Sequence, residues 1–271
     1  MKKIGIWISI CLCVLLLSGC FREDAPQIPT ELPSEALMPA ENTLQTAPAE
    51  TEAFAESPAE ETQAPSVYNI PGVPVEDVIL YFNEVCLDAE YVNGGNPCVV
   101  QKWVDPIRYI VYGKPTKQDL QILSDFAQGL NAMYGFPGME QTEDPLSANL
   151  EIYFCSKKEM VERMGENFYG LDGAVTFWYQ DDQIFDAIIC CRKDLDQRLR
   201  NSVIQEELYN GLGPVQDTDL RSDSLIYSGF SEPQTMTAMD ELILALLYHP
   251  DILCGMNAEQ CEAVIRTLYG Q

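Results

Sequence analysis

The sequence predicts an α+β domain, a mixed sheet with packed helices, held behind a disordered acidic tether. Three observations lead there. From about residue 75 to the end, segments with helical spacing and segments with strand pattern follow each other in the order αβαβαββααα, which gives a sheet covered by helices. The stretch 21–67 is rich in proline and acid and nearly free of aromatic residues. The first twenty residues carry two lysines and then a short apolar run.

Residues 1–20 read as a signal peptide. Lys2 and Lys3 form a positive start, Ile4 to Leu17 an apolar run too short to span a membrane as a stable helix, and Leu17-Ser18-Gly19-Cys20 a small-residue end. Those four residues resemble a bacterial lipobox, which implies cleavage before Cys20 and lipidation of that cysteine. Several acyl chains on one residue make a stable anchor, each buried methylene adding about 0.8 kcal/mol. The expected location is therefore extracytoplasmic, lipid-anchored to a bacterial membrane.

The tether, 21–67, holds seven prolines and ten acidic residues against Arg22 alone. It cannot bury enough apolar surface to offset its ordering entropy. Its coil length is on the order of 40 Å, extended by charge repulsion. Residues 68–271 are left for one folded domain, long enough for a sizeable core. The whole chain has a net charge of −26. Nucleic acid and anionic lipid surfaces are thus poor partners, whereas a basic peptide or a metal ion would be drawn in.

Within the domain, Val78, Ile79, Phe82 and Val85 are spaced as one face of a helix over 75–87. Asn93-Gly94-Gly95-Asn96-Pro97 is a turn, and Lys102 to Tyr112 reads as strand, ending at Gly113-Lys114-Pro115. Thr116 caps a helix with Leu120, Leu123, Phe126, Ala127 and Leu130 on its core face. Asn149 to Cys155 is a strand and Lys157 to Met164 a short helix. Ala174 to Tyr179 and Gln183 to Arg192 form a hairpin through Gln180-Asp181-Asp182. Thr237 caps a helix carrying Met239, Leu242, Ile243, Leu246 and Leu247. Asn257 and Gln260 look like a capping box for the last one.

The most informative stretch is 195–217. Asp194 or Asp196 can cap a helix there, and Gly211, Gly213 and Pro214 end it, the glycines in a left-handed turn. At about 100° per residue, Leu195, Leu199, Val203, Glu206 and Asn210 share one stripe. A carboxylate and an amide then lie in line with the core-facing side, and a buried carboxylate needs a partner. Glu206 is expected to be partly buried and hydrogen-bonded with Asn210 and Gln216. Glu207, a turn of about 100° away, is expected nearer the rim of the cleft.

This spacing resembles the H-E-x-x-H-x-x-G-x-x-H site of metzincin zinc peptidases. In that frame Glu206 takes the first His, Glu207 the catalytic Glu, Asn210 the second His, Gly213 the Gly and Gln216 the third His. The base and the glycine match; all three nitrogen ligands are absent. The order of elements, with an antiparallel edge strand before the site helix, is also similar. A following turn, Ser224-Leu225-Ile226-Tyr227, has Ile226 where a Met-turn would have Met.

A second likeness is to domain of unknown function family 2927, a family of bacterial secreted proteins and lipoproteins. It rests on Trp103-Val104-Asp105-Pro106, Ala148-Asn149, Glu206-Glu207-Leu208, Leu212-Gly213, Gln216-Asp217, Ser224-Leu225-Ile226-Tyr227, Leu247-Tyr248-His249-Pro250 and Gly255-Met256. Tyr209, Asn210, Pro214 and Gln216 depart from its pattern. The resemblance covers roughly 75–271 and implies a fold and a location rather than a reaction.

Zinc wants His, Cys or carboxylate in tetrahedral array, and Glu206, Asn210 and Gln216 offer one carboxylate and two amides. The single histidine, His249, stands at a helix end in Tyr-His-Pro. A hard cation prefers oxygens, and Asp217, Asp219 and Asp223 crowd the loop after the helix. Without another histidine neither a Ser–His nor a Cys–His pair forms at the site. The expectation is a non-catalytic binding or scaffolding domain with no cofactor, its site built from Glu206, Asn210, Gln216 and Asp217. Its partners would be the membrane, through the anchor, and an envelope protein or peptide. The rival reading is a peptidase or other hydrolase using Glu207 as general base with a divalent metal. Seven cysteines follow Cys20. A Cys86–Cys98 bridge, a bridge within Cys190, Cys191, Cys254 and Cys261, and free buried thiols are all compatible with the sequence.

Overall fold

The computed structural model describes residues 68–87, 98–229 and 234–270. The lipobox with Cys20, the tether and the turn at 93–97 lie outside the described residues.

The domain is a mixed sheet with helices packed on it, as the order of segments predicts. Its elements are α1 (Val75–Leu87), β1 (Lys102–Trp103), β2 (Ile107–Gly113), α2 (Lys117–Asn131), β3 (Met139–Gln141), β4 (Leu150–Cys155), α3 (Lys157–Met164), β5 (Gly173–Gln180), β6 (Gln183–Arg192), α4 (Gln197–Asn210), α5 (Ala238–Leu247) and α6 (Ala258–Tyr269). A 3₁₀ turn, Glu166–Phe168, follows α3. The strand expected over 102–112 is two strands, broken around Pro106, which has no N–H to give a ladder.

Strands β3, β2, β4 and β6 run parallel in that spatial order. β1 extends the row by pairing with the start of β6, Lys102 opposite Gln183 and Trp103 opposite Ile184. β5 lies antiparallel on the far side of β6, with a bulge between Trp178 and Tyr179. Alternation sends Ile107, Tyr109, Leu150, Ile152, Phe154, Ala187, Ile189 and Cys191 to one face. There they join residues of α1, α2, α4, α5 and α6 in the main core. The other face carries a smaller cluster, Cys155, Met160, Phe168, Ala174 and Cys190, beneath α3 and the 3₁₀ turn. Cys190 and Cys191 thus face opposite sides, as neighbours in a strand must. Cys86 is a free thiol, so the Cys86–Cys98 bridge is not formed, and Cys190, Cys191, Cys254 and Cys261 are free thiols as well.

Four helices begin with reciprocal capping boxes: Thr116 with Asp119, Ser156 with Glu159, Thr237 with Asp240, and Asn257 with Gln260. Each satisfies two backbone donors that the first helical turn leaves open. α4 is capped by Asp196, whose Oδ1 accepts from Arg198 N and Leu199 N, both at 3.1 Å.

Candidate functional site

α4 lies against β5 and β6, with α2 beside it. The amphipathic expectation for this helix is wrong in an instructive way. Residues 200–205 and 207–210 are all buried, while Leu195 and Leu199 are only partly so. Val203, Ile204, Leu208 and Tyr209 supply its apolar contacts. Its polar positions are buried because distant segments bring partners to them. Arg200 Nε meets Asp119 Oδ1 at 3.0 Å, and Gln197 Nε2 meets the same oxygen at 2.6 Å. Arg200 also donates to the carbonyls of Lys193 and Leu195. Gln205 Nε2 donates to Gln234 O at 2.9 Å.

The end of α4 is held from three directions. Trp103 Nε1 on β1 donates to Gly211 O at 2.9 Å, and Tyr248 Oη at the end of α5 donates to Leu212 O at 2.8 Å. Val215 N donates to Val85 O of α1 at 2.8 Å. Gly211 itself keeps a right-handed conformation, φ −66°, so only Gly213, at φ +125°, takes the positive φ expected of both. Beneath this end runs a buried chain of hydrogen bonds. Tyr81 Oη donates to Ser224 Oγ at 2.7 Å, and Ser224 Oγ to Asp240 Oδ1 at 2.7 Å. Asp240 also accepts from Leu225 N and caps α5, and Tyr209 Oη donates to its carbonyl. Ile226, the residue in the Met-turn position, is fully buried in the main core.

Glu206 is partly buried, as expected, but Glu207 does not lie at the rim. Glu207 is 6% exposed and packs against the start of β5. A Cβ on Gly173 would lie 2.6 Å from Glu207 Oε1, so the glycine is what makes room for this carboxyl. Glu206 is the half-buried one. The reason is the same as before: with α4 enclosed, position 207 faces the β5 backbone and 206 falls where the enclosure opens.

Four carboxyl groups influence one another here. Burial, then Asp217 and Asp172, push the Glu206 carboxyl well above its ordinary range. Burial, then Glu206 and Asp217, do the same to Glu207. Asp172 is held by Arg192, Nη1 to Oδ1 at 2.5 Å. Asn210 is 3% exposed and its Oδ1 accepts no hydrogen bond. Gln216 and Asp217 are half-buried on the segment after the helix, where Gln216 N approaches Val85 O at 3.3 Å. Glu206, Glu207 and Asp217 are therefore brought together. The expected hydrogen bond of Glu206 to Asn210 Oδ1 is not formed.

Among the described residues no three His, Cys, Asp or Glu side chains converge as an ion requires. Asp219 accepts from Ser228 and Asp223 pairs with Arg221, so those loop acids are engaged elsewhere. His249 is buried at the end of α5, its Nδ1 accepting from Asp251 N at 3.2 Å. Burial lowers its basicity, and Tyr68 meets the ring edge-on at 5.2 Å. It serves the turn after α5 and leaves Nδ1 committed.

Sequence reasoning missed the Asp119–Arg200 pair and the role of Gly173. The first had a signal, an aspartate three residues after a capping threonine; the second had none, because a lone glycine at a strand start is ordinary.

An α+β domain with an enclosed helix and buried carboxyls whose ionisation burial opposes defines a class of fold, not a reaction. The family model described as "Protein of unknown function (DUF2927)" matches residues 76–267, and the chain belongs to that family. No curated protein matches the chain.

Proposed function

We propose that this is a lipid-anchored extracytoplasmic protein whose domain binds or scaffolds at the cell envelope, its α4 site being a metallopeptidase-like site without catalysis. The observation that carries the second half is the state of Glu207. A general base must be ionised and within reach of a water or nucleophile. Glu207 is packed against Gly173, and burial beside Glu206 and Asp217 favours its neutral form. The positions that the metzincin frame gives to imidazoles hold Glu206, Asn210 and Gln216, a carboxylate and two amides. The antiparallel edge strand β5 beside the site helix supports the metzincin likeness of the scaffold.

The anchor rests on the order Lys2-Lys3, apolar run, Leu17-Ser18-Gly19-Cys20. Among the described residues no helix is long and apolar enough to cross a membrane. Labelled fatty acid fed to producing cells should enter the wild type and not Cys20→Ser. A soluble, unlabelled wild type ends the lipoprotein reading.

A second reading, hydrolysis by Glu207 with a divalent metal, is favoured by one observation. Asn210 Oδ1 is a buried acceptor without a hydrogen bond, as an acceptor awaiting a cation would be. Metal content of the purified chain separates the two: stoichiometric zinc or calcium supports the hydrolase, and none supports the binding domain.

A further inference from the structure

A cavity of about 420 Å³ opens between β1, the β5–β6 hairpin and the turn after α5. That size is within the usual range of small-molecule sites, roughly 300–1,000 Å³. Its wall includes Lys102, Val104, Pro137, Tyr248, Pro250 and Leu253. Lys102 is 7% exposed. Its Nζ donates to Leu247 O at 2.8 Å and to Ile252 O at 2.5 Å, and it stands 5.7 Å from the centre of the Tyr248 ring.

An ammonium carries three donors, and two are used. Among the described residues no Asp or Glu makes an ion pair with Lys102. A buried charge without a counter-charge is costly. Tying β1 to the end of α5 accounts for the two hydrogen bonds, but a neutral donor would do that without the cost. A carboxylate accepts from the third N–H and supplies the missing negative charge, in a charge-assisted hydrogen bond. Val104 and Leu253, exposed by 43% and 57%, put apolar surface on the cavity wall that a ligand's body would cover. Asp181, on the same wall, opposes a second negative charge, so a monocarboxylate fits better than a dicarboxylate or a phosphate ester.

We propose that this cavity binds a small organic monocarboxylate with a compact apolar body, Lys102 pairing with its carboxylate. The proposal is independent of the α4 site. Burial brings the Lys102 amine down to about 8, so binding weakens as the pH rises through that value and the amine loses its proton.

The test uses the full chain with benzoate and its neutral counterpart benzamide as probes, followed by ligand-observed magnetic resonance. Benzoate should bind at least about tenfold more tightly than benzamide, and should weaken above about pH 8. Lys102→Met should abolish the preference. Because that change also removes two hydrogen bonds, Leu253→Trp serves as the second variant: it fills the cavity from an exposed position, keeps Lys102, and should also abolish benzoate binding. Equal binding of the two probes, no benzoate binding at roughly 10 mM, or benzoate binding unchanged in Leu253→Trp overturns the proposal.

Discussion

Glu207 and Gly173 fit so closely that a methyl group on Gly173 would lie 2.6 Å from Glu207 Oε1. The glycine is the seat of the buried carboxyl. Gly173→Ala should therefore cost about 1–3 kcal/mol through overpacking. Glu207→Ala in the same chain should recover part of that loss, because the two positions share one space. A double-mutant cycle by thermal unfolding checks it; strictly additive losses would mean that the contact carries no energy.

The same burial sets a pH dependence with a definite direction. The unfolded chain releases the Glu207 proton near pH 4.3, its ordinary value, whereas the folded chain keeps it well above that. Below the ordinary value both states hold the proton and nothing is lost. As the pH rises, the unfolded state gains by ionising, so stability falls towards neutrality. Glu207→Gln cannot ionise in either state. It should raise the melting temperature near pH 7 and remove a slope of up to about 1.4 kcal/mol per pH unit. Unfolding curves between pH 5 and 8 decide this, and a destabilised Gln variant at neutral pH would show an ionised, partnered Glu207.

Asp119 and Arg200 join α2 to α4, with side chains 1% and 7% exposed. Burial raises the Asp119 carboxyl, but the Thr116 backbone, Gln197 and Arg200 together outweigh it and hold the carboxyl low. Asp119→Ala strands a buried guanidinium and should cost about 3–5 kcal/mol. Replacing both residues by apolar ones should cost far less than Asp119→Ala alone, read from denaturant midpoints at constant slope.

Ser224 passes a hydrogen bond from Tyr81 to Asp240 under the α4 end. Ser224→Ala leaves a buried phenol and a carboxylate oxygen without their partner and should cost about 1–3 kcal/mol. Tyr81→Phe should cost less, since only Ser224 loses a donor. Equal losses would mean that Tyr81 also holds the turn by its hydroxyl.

Much of the fold was legible. Thr116, Thr237, and Asn257 with Gln260 start helices where the sequence puts them, and Asp181 and Asp182 form the hairpin turn with φ of +52° and +60°. These are local features, set by a few adjacent residues. The three-residue strand β3, Met139–Gln141, was not legible, because it is too short to show a period. Neither was the burial of α4. The spacing of its apolar residues suggests one docked face, but Arg200, Asn201 and Gln205 are enclosed by Asp119 and Gln234, contacts that no spacing within the helix announces. The burial of Glu207 follows from that. The frame of the site could be laid on the sequence, but which glutamate is covered depends on Gly173 in another strand.

The most direct measurement is thermal unfolding of the chelator-treated wild type near neutral pH, with and without added zinc or calcium. A ligand raises the melting temperature only if it binds the native state. Burial favours the neutral forms of Glu206 and Glu207, and the three positions that the metzincin frame gives to histidine hold none, so neither ion should shift the transition. A rise of about 3 °C or more with either metal, lost in Glu206→Ala, would contradict the non-catalytic reading and establish a metal site at the end of α4.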